Sequence, residues 1–290
     1  MGKRAYGETR MMCRSLLGAI VLTALSLASA RGEIFDYAKY PNLKGQWLPI
    51  GGPGRFDISK PWGPEQEAPL TAEYQAIFEE NLKDQFAGGQ GWDRDWVCQS
   101  PGMPRVTNGY GQMEFIIVPG SVHILTQHIH DNRRIFTDGR DWPADIPPTF
   151  AGYSIGRWID TRHDGNFDLL EIETRGFKGP RAYDTSGLPL HLDNQTIVKE
   201  SIYVDAADPE VSHDAVTVID HALTRPWTVM KNYHRVADPQ PYWREISCSE
   251  NNDHIEIGKQ PYMLSADGYL MPVKKGEAPP DLRYFKKTNR

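Results

Sequence analysis

His128 and His130 stand two residues apart, a spacing that puts both rings on one face of a β-strand. Imidazole titrates near neutral pH, so such a residue is a candidate general base. His-x-His on a strand is also half of a zinc site. No further His or carboxylate follows at a diagnostic spacing, so no metal is expected here. The other reading is two solvent-facing histidines near a strand end. Glu200 is the third candidate for catalysis. It shares a face with Val198, Ile202 and Val204. A carboxylate in an apolar row is either an inner acid or base or the partner of an inward arginine.

Binding residues follow from the same alternation. Arg133 and Arg134 point to opposite faces of one strand, so one of them faces inward and needs a carboxylate or an anionic ligand. Arg134 is the candidate binder. Tyr153 and Arg157 share a face that could orient a phenol or a carboxylate, with Trp158 opposite as core filling. His191 precedes Glu200 in a loop, and Tyr233 with Lys231 gives the last strand a polar face. Asp138 and Arg140 flank a tight turn that their pairing would lock, and Glu171 with Glu173 reads as a solvated face. No phosphate, dinucleotide, flavin or haem motif occurs, so no cofactor is expected. Ser186 and Ser201 lack the setting of a hydrolase nucleophile.

The elements that must position these residues are mostly strands. Met113–Val118, Ser121–Ile129, Arg133–Thr137, Tyr153–Asp160, Phe167–Arg175, Thr196–Asp205, Asp214–Leu223 and Trp227–Val236 alternate or are apolar, and turn residues bound them. These strands, about eight in number, lack crossover helices, which predicts an antiparallel, lipocalin-like β-barrel over residues 111–258. Such a barrel can hold one small ligand. Residues 31–110 read as an irregular N-terminal region, broken by Gly51-Gly52-Pro53-Gly54 and Pro61-Trp62-Gly63-Pro64. It carries one short helix, capped by Thr71 and running to about Lys83, with Tyr74, Ile77, Phe78 and Leu82 on its apolar face. Residues 259–290 read as a surface tail.

Composition narrows the class. The net charge of -6 comes without a basic block, so nucleic acid is not an expected partner. Eight Trp, 13 Tyr and 10 Phe suit an aromatic ligand as well as a core. Residues 1–30 read as a cleavable signal peptide: Lys3, Arg4, Arg10 and Arg14, then the apolar run Ser15–Leu27, then Ala28-Ser29-Ala30. The run is shorter than the ~20 residues that span a bilayer, so no stable membrane anchor is expected. The destination is periplasmic or secreted. There Cys98 and Cys248 either pair or stay as buried thiols.

Four motifs go further as a set. Cys98-Gln-Ser-Pro-Gly-Met-Pro-Arg105, Arg133-Arg-Ile-Phe-Thr-Asp-Gly-Arg140, Gly152-Tyr-Ser-Ile-Gly-Arg-Trp158 and Cys248-Ser-Glu-Asn-Asn252 resemble a group of exported proteobacterial proteins common in sphingomonads. The resemblance covers roughly residues 40–255. Members carry Gly-Asp-Thr-Leu after the Trp, where this chain departs with Ile159-Asp160-Thr161-Arg162. The group is similar to cofactor-independent lyases of lignin-derived aromatic dimers, such as γ-formaldehyde lyases. The resemblance implies an aromatic small-molecule substrate and assigns no residue a role.

Two functions fit. One is a cofactor-independent lyase or isomerase, with His128, His130 or Glu200 as base and Arg134, Tyr153, Arg157, His191 and Tyr233 around the substrate. The other is a lipocalin-like binding protein for an apolar ligand, in which the polar residues only satisfy one another. A homo-oligomer is open in either case.

Overall fold

The computed structural model describes residues 35–128, 132–238, 240–243, 247–248, 253–257, 260–265, 268–273 and 276. The signal-like segment, His130 and residues 277–290 lie outside the described residues. The described residues from 38 onward form one compact unit.

Alternating side chains are what let strands enclose a core, and this chain uses them to close a barrel. Its strands are β1 (Gln46–Pro49), β2 (Met113–Val118), β3 (Ser121–Thr126), β4 (Arg133–Phe136), β5 (Tyr153–Ile159), β6 (Leu169–Arg175), β7 (Ile197–Val204), β8 (Val211–Ile219) and β9 (Trp227–Arg235). They pair in chain order, and β1 closes the ring between β9 and β2. Closure satisfies both edges of every strand. The fold is therefore the expected mainly-β barrel, with nine strands.

Three features differ from expectation. β4 and β5 run parallel, pairing Ile135 with Ser154 and Phe136 with Ile155, whereas an all-antiparallel sheet is expected. The proline-containing connection 137–152 is long enough to return the chain to the starting end, which a tight hairpin cannot do. The barrel also takes β1 from the region read as irregular. Its Trp47 is fully buried and its indole donates to the Leu43 carbonyl at 3.0 Å. Further on, β10 (His254–Ile257), at the end of the span expected for the barrel, joins β11 (Gln260–Leu264) and β12 (Leu270–Pro272), where a tail is expected, in a small separate antiparallel sheet.

Helix α1 (Ala72–Phe86) starts at Thr71, whose hydroxyl accepts the Tyr74 N–H at 3.3 Å. Tyr74, Phe78 and Leu82 recur on one side and are buried. Phe78 and Leu82 join Phe56, Tyr183, Val198, Val216 and Val229 in one apolar cluster. A second contains Trp47, Phe115, Ile124, Ile135, Ile202 and Tyr233. On β7, Glu200 falls between Val198 of the first and Ile202 of the second. On β9, Lys231 falls likewise between Val229 and Tyr233. The barrel interior is thus two apolar plugs with a charged layer between them.

Candidate active site

The charged layer is largely self-paired. Arg133 faces inward and grips Glu200 through both guanidinium Nη atoms, one at 2.8 Å. Glu200 is 2% exposed, so its carboxylate serves Arg133 rather than a ligand. Asp214 lies in the same layer. Burial first, and the Glu200 charge second, push its carboxyl well above the usual range, which favours the protonated acid. Lys231 donates to the Phe56 carbonyl, and burial lowers its ammonium to about 7.

An open site lies past the end of β3. His128 is half-buried there, with Nε2 3.7 Å from Asp95 Oδ2 and its ring edge-on to Tyr110 at 4.9 Å. Arg105 stands beside it, 2% exposed. Its Nη2 lies 3.3 Å from Asp93 Oδ2 and 3.7 Å from Asp95 Oδ2. Its Nε and Nη1 have no hydrogen-bond partner among the described residues. Two short helical turns place these groups. Asp93 accepts the Asp95 N–H at 3.2 Å and caps the turn Arg94–Val97. Arg105 opens the turn Arg105–Asn108, which Tyr233 pins to β9 by donating its hydroxyl to the Thr107 carbonyl at 2.7 Å. A disulfide joins Cys98, at the end of the first turn, to Cys248.

The space beside these residues is small-molecule sized. A cleft of about 330 Å³ is lined by Asp93, Asp95, Tyr110, His128, Thr185 and Cys248. Behind it a narrow cavity with room for about one water (about 20 Å³) reaches Arg105, Thr126 and Tyr233. Burial first, then the neighbouring Arg105 charge, lowers His128 to about 4, so its imidazole is neutral at physiological pH. Arg105 is held cationic: burial opposes its charge, but Asp93 and Asp95 outweigh the cost. A neutral base next to a cation with free donors can remove a proton and steady the anion that results.

No protein-family model matches the chain, and no curated protein is detectably similar to it.

Of the residues expected from sequence, this site unites His128 with Tyr233. The other expected residues that are described go elsewhere. Arg134 is exposed on the outer face; one residue of parity gives the inward position to Arg133. Tyr153 also lies outside, stacked on Phe136 at 5.1 Å and receiving a hydrogen bond from Arg140 at 3.4 Å. Arg157 is exposed and pairs with Glu171 at 2.7 Å. On β5 the inner face belongs to Ser154 and Gly156, both buried. His191 sits in a loop against Tyr74 at 5.0 Å, where it forms a cluster with Asp193 and His221. Sequence reasoning missed Asp93, Asp95, Arg105 and Tyr110, which lie in the region read as irregular. The signal for Arg105 was its place closing the Cys98-Gln-Ser-Pro-Gly-Met-Pro-Arg105 motif, which begins at a disulfide cysteine.

Proposed function

We propose that this chain is an exported, cofactor-independent lyase or isomerase for an aromatic small molecule, with His128 as the base. The observation that carries this reading is one juxtaposition: an imidazole held neutral by burial shares its cavity with a buried guanidinium that has two unpartnered nitrogens. His128 takes the proton of a substrate hydroxyl. The oxygen's electron pair closes a carbonyl as the adjacent carbon–carbon bond breaks. The released pair goes to the carbon next to the ring, which takes the proton back from the His128 imidazolium, so the base ends neutral. Arg105 steadies the alkoxide as it forms, and Tyr110 offers an aromatic edge to the substrate ring. The Cys98–Cys248 disulfide supports an oxidising compartment, periplasmic or secreted, as does the signal-like segment. Among the described residues no helix is long and apolar enough to cross a membrane.

The test is turnover of a panel of lignin-type aromatic dimers followed by mass spectrometry. The wild type converts at least one dimer, and His128→Gln lowers kcat/KM by about 10²–10⁴-fold. The wild-type kcat/KM falls as pH drops through about 4, because only the neutral imidazole accepts a proton. Unchanged turnover in His128→Gln for every accepted substrate refutes the assignment. The paired Arg133 and Glu200 favour the second reading, a non-catalytic binding protein. Tight dimer binding without any product would decide for it.

A further inference from the structure

We propose that His191, Asp193 and His221 form a binding site for one divalent transition-metal ion of the zinc, copper or nickel type. This site is separate from the His128 cleft and does not depend on the reaction proposed for it. The three side chains each offer a donor atom, and these donors lie within 4.8 Å of one another. Asp193 Oδ1 is 3.0 Å from His191 Nδ1, and Oδ2 is 2.5 Å from His221 Nδ1. Ligand atoms bound at about 2.0–2.2 Å to one ion stand about 3 Å apart, so small side-chain adjustments suffice.

The frame beneath the cluster is built from buried polar groups. His191 and Asp193 sit on the loop before β7, and His221 follows β8. Buried Asp220 ties the two together: its Oδ1 accepts the N–H of His191 at 2.9 Å and of Ala222 at 2.9 Å. Its Oδ2 accepts the Thr196 hydroxyl, which in turn accepts from the buried Arg181 at 2.6 Å. Tyr74 on α1 adds a further anchor by accepting the Leu192 N–H at 3.1 Å. Such support fixes the ligand backbones while the ligand side chains stay open to solvent, the arrangement a metal site needs for both precision and access. Two imidazoles with a single carboxylate select against magnesium and calcium, which prefer all-oxygen shells. Three protein ligands leave a coordination position for water or a small anion.

The test uses the full tag-free chain, stripped with chelator, and titrates it with zinc, copper and magnesium chlorides by calorimetry. One zinc or copper ion binds with micromolar or better affinity, and magnesium gives no heat. His221→Gln, at a 62% exposed side chain, leaves the melting temperature of the stripped protein unchanged and weakens zinc binding by about tenfold or more. Electron paramagnetic resonance of the copper form shows two nitrogen ligands in the wild type and one in His221→Gln. Equal zinc affinity in both proteins, or no binding by the wild type at micromolar ion, overturns the site, leaving only a surface His221–Asp193 ion pair.

Discussion

Arg133 and Arg134 are chemically identical and adjacent, yet one is buried and the other meets solvent. The difference is strand parity, and the energy attached to it is large. A guanidinium removed from water needs a charge partner, and Arg133 has one in Glu200. Removing one member of a buried pair costs about 3–5 kcal/mol, while replacing both with apolar groups of similar volume is often nearly neutral. Glu200→Gln is therefore expected to lower the unfolding free energy by about 3–5 kcal/mol. The Arg133→Met/Glu200→Met double variant should lose much less. Urea unfolding of the three proteins measures both. If Glu200→Gln unfolds like the wild type, Asp214 in the same layer has taken over the compensation and Arg133 does not depend on Glu200. Alternation alone placed Glu200 on the inner face and named an inward arginine as its possible partner. It could not say which arginine, since a one-residue shift of register exchanges the two faces.

Within the barrel, β4 and β5 form the parallel step, joined by only two residue pairs in register. Close packing there depends on Gly156. A Cβ at that position would lie 2.7 Å from Ile135 Cγ2 on β4 and 3.0 Å from the Glu171 carbonyl on β6. Neither neighbour can retreat easily, one being a core side chain and the other a ladder carbonyl. Gly156→Ala is expected to destabilise by about 1–3 kcal/mol through overpacking. Combined with Ile135→Ala, its cost should be smaller than in the wild-type background, since the clashing methyl is gone. Strict additivity in thermal unfolding would show that the close approach is not what the glycine serves. Longer elements were legible from sequence: β2 matches its expected span, and Thr71 marked the start of α1. β1 was not, because four residues ending in proline carry no period, and Trp47 is committed by partners on β2 and β9 that are remote in the chain. The site was hidden for the same reason. Asp95, Arg105 and Tyr110 occupy short turns without periodicity, and only the tertiary fold brings them to His128.

At the scale of the whole molecule, the Cys98–Cys248 disulfide spans 150 residues and so brackets β2 through β9. Its Cα atoms stand 5.5 Å apart, a spacing both backbones reach without opening the barrel. A loop of that length loses enough entropy in the unfolded chain to favour the folded state by about 4–5 kcal/mol. The bond also acts locally. Cys98 ends the turn whose Asp93 and Asp95 hold Arg105, and Cys248 lines the cleft that contains His128. Reduction therefore has two expected consequences with different onsets. The Cys98→Ser/Cys248→Ser variant should lose about 4–5 kcal/mol in urea unfolding. In the same variant, binding of an accepted aromatic ligand should weaken at temperatures where circular dichroism still shows an intact barrel. Loss of stability without loss of binding would assign the bond to the unfolded chain alone. Weakened binding while the barrel stays folded would show that the bond also sets the shape of the cleft.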